Sequence, residues 1–332
     1  MTTWKIFNGN GTIKKDWELP DPPSWRRFGY QVEDRGAKFI AQGDEIELVN
    51  AALYLRRPLL VTGRPGTGKT SLAYAVAREL GLGEVLVWPI ATRSTLQEGL
   101  YRYDAIGRLR DSQQPSPSNS PKEDSGQSRK STPEDIGKYI RLGPLGTAML
   151  SSPKPRALLI DEIDKSDIDL PNDLLNIFEE GEFDIPELVR IKEEQAEVEV
   201  QTYYRRDGEQ TYKIPGGLVQ ATTFPFVIMT SNGEREFPPA FLRRCLRLDM
   251  KEPNEEFLKK IVKKHLVDKK GELPQEIEDL IQEFLKRRDK QQKNLATDQL
   301  LNAIYLVTQE RAPTEKDLKK LRDRLFQSLS ES

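Results

Sequence analysis

Gly63-Arg64-Pro65-Gly66-Thr67-Gly68-Lys69-Thr70 fits the pattern G-x-x-x-x-G-K-[ST] in full. Its flanks fit as well. Residues 58–61 (PLLV) read as a short buried strand, and residues 71–80 (SLAYAVAREL) read as a helix rich in alanine and leucine. Strand, glycine-rich turn and helix is the setting that a phosphate-binding loop requires. Glycines in such a loop let backbone N–H groups close on phosphate oxygens, and the helix start adds the positive end of its dipole. Gly63, Pro65, Gly66, Thr67, Gly68 and Ser71 are the expected lining of that cradle. Lys69 is expected to reach the β- and γ-phosphates, and Thr70 to place its hydroxyl on Mg2+.

Composition narrows the class. A chain of 332 residues is long enough for one large domain or two ordinary ones and for a sizeable core. Charged residues make up 31% of it, yet 51 Lys and Arg nearly cancel 53 Asp and Glu. Such a balance argues against a mainly electrostatic nucleic-acid binder. Cys245 is the only cysteine, so no intrachain disulfide can form and a reducing compartment is expected. The only histidine, His265, sits amid lysines in a predicted helix and reads as a solvated surface residue. No apolar stretch approaches the roughly 20 residues of a membrane span. The start, MTTWKIFNGNG, lacks the basic-then-apolar layout of a signal peptide. A cytoplasmic protein is expected.

Along the chain, residues 1–35 form an arm rich in aromatics and proline, including Trp4, Phe7, Trp17, Trp25 and Phe28. A disordered tail rarely carries so many aromatics. An arm packed on its own domain is expected; docking on a neighbouring subunit is the alternative, because exposed tryptophan is a favoured anchor. Residues 36–251 alternate strand and helix signals, with strands expected at 58–61, 85–88, 157–160 and 226–229. That alternation predicts an α/β fold with a mainly parallel central sheet. Two segments interrupt it. Residues 111–133 (DSQQPSPSNSPKEDSGQSRKSTP) have no aromatic or large aliphatic residue and read as a disordered insert. Residues 197–214 alternate apolar and polar positions around a turn at Asp207-Gly208 and read as a β-hairpin. From 252 to 332, apolar residues recur at helical spacing, which predicts a small helical domain.

A phosphate loop hydrolyses nothing by itself. The run Ala157-Leu158-Leu159-Ile160-Asp161-Glu162 is an apolar strand delivering two carboxylates at its C-terminal end, where α/β sheets bind ligands. Asp161 is expected to hold Mg2+ through water, and Glu162 to polarise the attacking water. A further strand ends at Thr230-Ser231-Asn232, whose amide can hold that water. Arg243 and Arg244 follow a short predicted helix, and a guanidinium fork suits a phosphate whose charge is spread over several oxygens.

Taken in this order, residues 63–70, Asp161-Glu162, Thr230-Ser231-Asn232 and Arg243-Arg244 resemble the motif series of an AAA+ ATPase. The finer resemblance is to the MoxR group. It rests on Ile140-Arg141-Leu142-Gly143-Pro144-Leu145 leading into LLIDEIDK, then on IDLPNDLLNIFEEGEFDIP and TSNGEREFPPAFLRRC. It covers about residues 36 to 310 and leaves 1–35 and 111–133 outside. The resemblance implies ATP as the nucleotide and Asn232 as sensor 1. It implies that Arg243 and Arg244 are arginine-finger candidates reaching a neighbour's nucleotide in a homo-oligomeric ring, usually a hexamer. It implies a C-terminal helical lid, and insertions at 101–142 and 197–214 that face pore or substrate. It also implies a protein partner, often one with a von Willebrand factor A-type domain, that is remodelled or activated.

One departure stands out. The group's lid helix usually opens with a sensor 2 arginine, in a stretch like S-T-R-E-L-L. Here Ala296-Thr297-Asp298-Gln299-Leu300-Leu301 puts Asp298 at that place. An acid there repels a γ-phosphate, so Arg287 or Arg288 is expected to substitute, or lid and nucleotide are coupled differently. Two alternative readings follow. The first is a nucleic-acid-directed, restriction-type motor, using the lysines at 259, 260, 263 and 264 and the Arg205-Arg206 tip. The second is a slow assembly switch whose bound state is the signal.

Overall fold

The computed structural model describes residues 4–7, 9–11, 13, 15, 17–26, 34–113, 133–205, 208–266, 273–290, 294–309 and 312–328. In chain order the first elements are α1 (Asp34–Ala37), α2 (Gly43–Leu55), β1 (Leu59–Thr62), α3 (Lys69–Leu80) and β2 (Leu86–Pro89). Next come α4 (Leu96–Leu100), β3 (Tyr101–Tyr103), α5 (Ala105–Gln113), β4 (Ile140–Leu142), α6 (Pro144–Ala148) and β5 (Ala157–Asp161). They are followed by α7 (Leu170–Glu180), β6 (Glu182–Asp184), α8 (Pro186–Val189), β7 (Glu197–Gln201), β8 (Thr211–Pro215) and β9 (Leu218–Gln220). The last are β10 (Phe226–Ser231), α9 (Pro239–Arg244), β11 (Leu246–Asp249), α10 (Glu255–Leu266), α11 (Gln275–Leu285), α12 (Thr297–Val307) and α13 (Glu315–Leu325). The chain forms two compact units, one of Gly43–Thr62 with Val76–Leu248, the other of Met1–Gln42, Gly63–Ala75 and Asp249–Ser332.

The first unit is α/β. Its central sheet has the order β11-β1-β10-β5-β2. β1, β10, β5 and β2 run parallel, with Thr62 opposite Ser231 and Met229 opposite Ile160. The strands read LLVT, ALLID and FVIMTS because a parallel sheet covered on both faces needs apolar residues at every position, not at alternate ones. Val61, Leu159, Ile160, Val227, Ile228 and Met229 are all fully buried. The four strands expected from sequence are all present; β3, β4, β6 and β9, at three residues each, carry too few residues for periodicity to mark them, and β11 (LRLD) alternates apolar with charged residues instead of forming an apolar run.

A second sheet has the order β3-β4-β7-β8. β7 and β8 form the expected hairpin, in antiparallel register from Glu197 opposite Pro215 to Gln201 opposite Thr211. The outer positions Glu197, Glu199 and Gln201 are exposed while Val198 and Val200 are buried, the period-2 pattern that betrayed the hairpin in sequence. Asp207, half of the expected turn, lies outside the described residues. β4 pairs with β7, so the segment before the carboxylate strand and the hairpin share one sheet rather than forming separate insertions. Residues 111–113 close helix α5 and are not loop; 114–132, the bulk of the expected insert, lie outside the described residues.

The second unit carries the C-terminal helices. Leu258, Val262, Ile277, Leu280, Ile281, Phe284, Leu300, Ile304 and Phe326 make its core, with the Phe284 and Phe326 rings meeting edge-on at 5.7 Å. Two tryptophans of the N-terminal arm reach these helices, while Phe7 and Trp17 are exposed and Phe28 lies outside the described residues. Trp25 donates its indole N–H to Asn302 Oδ1 at 3.0 Å and sets its ring edge-on to His265 and Tyr305. Trp4 donates to Asp317 Oδ2 at 3.3 Å. Among the described residues no helix is long and apolar enough to cross a membrane.

His265 is not the solvated residue expected from its lysine-rich surroundings. It lies half-buried against Trp25, its Nδ1 without a hydrogen-bond partner among the described residues. Burial, then the charges of Lys38 and Lys264, push its pKa down to about 4. The folded state therefore holds His265 neutral where the unfolded chain, with the ordinary value near 6.5, takes up a proton. The resulting stability is complete above pH 6.5 and is lost as pH falls toward 4, a loss of about 2–3 kcal/mol. Denaturant unfolding at about pH 7 and about pH 4.5 is expected to show a smaller drop in His265→Gln than in wild type.

Candidate functional site

β1 ends at Thr62, and the glycine-rich turn starts at the next residue. The turn needs backbone that side chains resist: Gly63 has φ 141° and Gly66 has φ 79°. Space demands glycine there too. A Cβ on Gly63 would stand 2.6 Å from the Met250 carbonyl oxygen, and one on Gly66 would stand 2.6 Å from Ala296 Cβ. Thr67 folds its hydroxyl back on the Arg64 carbonyl at 2.9 Å. Gly68 passes under the Phe39 ring, and Lys69 opens α3, so the first N–H groups of a 12-residue helix point toward the turn. Lys69 is 8% exposed and donates its ammonium to the Gly63 and Arg64 carbonyls at 2.6 and 3.0 Å. Its charge is thus held over the turn. Pro65, Thr70 and Ser71 are half-buried beside it.

Ala296 and Thr297, at the opening of α12, pack against Gly66. Asp298 follows them and is exposed, in the first turn where an acid suits the helix dipole. Neither arginine expected to stand in for it is free. Arg287 pairs with Glu283 at 2.5 Å and Asp323 at 2.7 Å, and lies over the Phe326 ring. Arg288, 7% exposed, pairs with Asp289 and donates to the Pro253 carbonyl at 3.0 Å. Both brace the helical unit.

The carboxylates lie at the C-terminal edge of the central sheet. Asp161 is the last residue of β5, and Glu162 takes left-handed backbone at φ 61°, ψ 50°. That conformation turns the chain out of the strand. Thr230, on the neighbouring strand β10, accepts the Glu162 N–H at 2.9 Å and donates its hydroxyl to Asp161 Oδ1 at 2.7 Å. Asn232, just past β10, donates Nδ2–H to Glu162 Oε1 at 3.4 Å. Lys165 donates to Glu162 Oε2 at 2.7 Å, and that bond raises the lysine pKa. Asp164, 3% exposed, accepts the N–H groups of Asn232 and Glu234 through Oδ2 at 2.9 and 3.1 Å. Sequence reading placed Asp161, Glu162 and Asn232 together, as the structure does. It missed Asp164 and Lys165, for which the acidic run DEID followed by lysine was the available signal.

Arg243 and Arg244 form the last turn of α9 rather than following it. Arg243 is exposed and makes no ion pair among the described residues, whereas Arg244 pairs with Glu179 on α7. Arg57 donates to the Arg243 and Arg244 carbonyls and so satisfies the open end of the helix. Cys245 is buried, and desolvation pushes its thiol up to about 12, so it is an inert packing residue.

The donor set fits a hard cation. Thr70 and Asp161 offer oxygen, the ligand type of Mg2+. Among the described residues no group of three or more His, Cys, Asp or Glu side chains could hold a metal.

The family model for the AAA domain (dynein-related subfamily) matches residues 58–245. Among solved structures, domain III of the Thermotoga maritima replication initiation protein DnaA is similar at 15% identity and a TM-score of 0.41, over 87% of this chain and 95% of that one. No curated protein sequence matches. AAA domains generally bind nucleotide and typically form oligomers. The family match runs from the residue before β1 to the residue after α9, more than half the chain, and on it the chain belongs to the AAA domain family, dynein-related subfamily.

Proposed function

We propose that this chain is a MoxR-like ATPase that hydrolyses Mg-ATP in a homo-oligomeric ring and uses the cycle to remodel or activate a protein partner. The arrangement that carries the reading is the carboxylate group: Asn232 Nδ2 stands 3.4 Å from Glu162 Oε1 while Thr230 holds Asp161. An amide beside a carboxylate can orient a water and accept its proton, the two tasks that a γ-phosphate attack requires. A partner with a von Willebrand factor A-type domain fits the MoxR resemblance.

In this mechanism Gly63, Pro65, Gly66, Thr67, Gly68 and Ser71 cradle the phosphates. Lys69 leaves the carbonyls of its own turn for the β- and γ-phosphates. Thr70 and Asp161 would hold Mg2+, which would offset charge on the phosphate oxygens. Glu162 takes the proton from water, and its Oε2 accepts a hydrogen bond from Lys165 at 2.7 Å, which fixes the direction of the side chain. Arg243 is the better candidate to act on a neighbour's nucleotide, because it is exposed while Arg244 is tied to Glu179.

A slow switch is the second reading. Asp298 at the lid helix and the engagement of Arg287 and Arg288 favour it, since neither of these arginines is left to answer the γ-phosphate. A turnover number far below about 1 per second, with ATP-dependent assembly intact, would select it.

Replacing Glu162 by Gln is expected to leave ATP binding within a few-fold of wild type and to lower kcat by roughly 100-fold or more. Unchanged phosphate release in that variant would falsify the role of Glu162. Arg243→Ala is expected to keep nucleotide binding in each subunit and to lower hydrolysis by about 1,000-fold in the assembled form. Arg244→Ala is expected to act mainly on stability. Mixing Arg243→Ala with Lys69→Ala subunits tests action in trans: mixed rings regain activity only if the arginine and the bound nucleotide belong to different copies.

A further inference from the structure

Strand geometry sets a problem at the end of β5. Successive residues of a strand face opposite sides of the sheet, yet the proposed mechanism needs Asp161 and Glu162 to act together. The chain meets this need by placing Glu162 in left-handed backbone at φ 61°, which a residue with a Cβ adopts only where its surroundings over-determine it. Backbone bonds hold its two sides, from the Ile90 N–H to the Asp161 carbonyl and from the Lys165 N–H to the Glu162 carbonyl, both at 2.9 Å. One hydroxyl joins the two residues across the turn: Thr230 Oγ1 accepts the Glu162 N–H at 2.9 Å and donates to Asp161 Oδ1 at 2.7 Å.

Resting on the ATPase reading above, we propose that Thr230 is a positioning residue that sets the metal-holding and water-activating carboxylates at once. Its hydroxyl has one proton to give and lone pairs to receive, and both capacities are used here. A valine has the same shape but neither capacity. It removes the acceptor of the Glu162 N–H and a donor to Asp161, and it frees the left-handed turn to relax. The side chain is 2% exposed, so water has little room to replace the hydroxyl. Asp164 is a second strut, since its Oδ2 fixes the N–H groups on both sides of Gly233 and so the loop that carries Asn232. Thr230 fixes Glu162 and Asp164 fixes Asn232, and the 3.4 Å approach of the two side chains depends on both.

The test is steady-state hydrolysis and ATP binding by full-length wild type, Thr230→Val, Thr230→Ala and Thr230→Ser, each with its melting temperature. Thr230→Val and Thr230→Ala are expected to lose about 100-fold in kcat, the scale of a misplaced reacting group, with the Kd for ATP within about threefold of wild type. Thr230→Ser keeps the hydroxyl and is expected to return kcat to within about threefold of wild type. Hydrolysis by both Thr230→Val and Thr230→Ala at the wild-type rate overturns the inference. So does a parallel collapse of ATP binding and melting temperature in all three variants, which marks Thr230 as a packing residue only. A wild type that binds ATP without hydrolysing it overturns the ATPase reading itself, and this inference with it; an active wild type matched by Thr230→Val overturns this inference alone. If Thr230→Val fails to fold, the contrast between Thr230→Ala and Thr230→Ser decides.

Discussion

The pairing of β10 between β1 and β5 is the constraint on which the rest depends. Three parallel strands in that order bring their C-terminal ends to one edge of the sheet. Thr62 lies opposite Ser231, and Met229 opposite Ile160, so the exit of each strand is fixed relative to its neighbour. The carboxylate pair and Asn232 leave from the exits of β5 and β10. A slip of one residue would exchange the side chains of β10 between the two layers that cover the sheet and carry Thr230 away from Asp161. Complete burial of Val227, Ile228 and Met229 makes such a slip costly, because each is an apolar side chain held in a closed layer.

Tension between stability and chemistry shows at the ends of these strands. Glu162 adopts strained backbone, Lys69 is buried with its charge turned on two carbonyls, and Asp164 keeps Oδ1 without a partner among the described residues. Each of the three departs from what a purely structural residue would do. The cost is offset by the layer beneath, where Leu59, Ile160 and Ile228 are buried apolar side chains that add no polar group beyond the sheet's own ladder. The helical unit shows a similar division. Its core is aliphatic and aromatic, while Arg287 and Arg288 direct their charges to local carboxylates and to the Pro253 carbonyl.

Much of the fold was legible from residues 58–61, 157–160 and 226–229, since short continuous apolar runs bounded by turns mark strands that are covered on both faces. The hairpin was legible because its outer face meets water and its inner face does not. Its partner strand β4 was not, for three residues carry no period. The arginines after α11 illustrate the limit: charge in sequence does not reveal whether Glu283 and Asp323 will arrive beside Arg287. His265 illustrates it again. Neighbouring lysines suggested a wet helix face, but Trp25, distant in sequence, covers the ring, and burial holds it neutral.

The sequence by itself determined what is local. Gly63, Gly66 and Gly68 with Lys69 and Thr70 set a glycine-rich turn into a helix, and Asp161 and Glu162 at the end of an apolar run set a carboxylate pair, because each pattern is dictated by backbone freedom and spacing within a few residues. Only the tertiary structure decided what depends on register and burial. It made Thr230 the hydroxyl that joins the Asp161 carboxylate to the Glu162 backbone N–H, tied Arg244 to Glu179 while leaving Arg243 exposed, and set Ala296 against Gly66. Those contacts join residues far apart along the chain, and their partners are chosen by how strands pair and helices pack, which no short window of sequence contains.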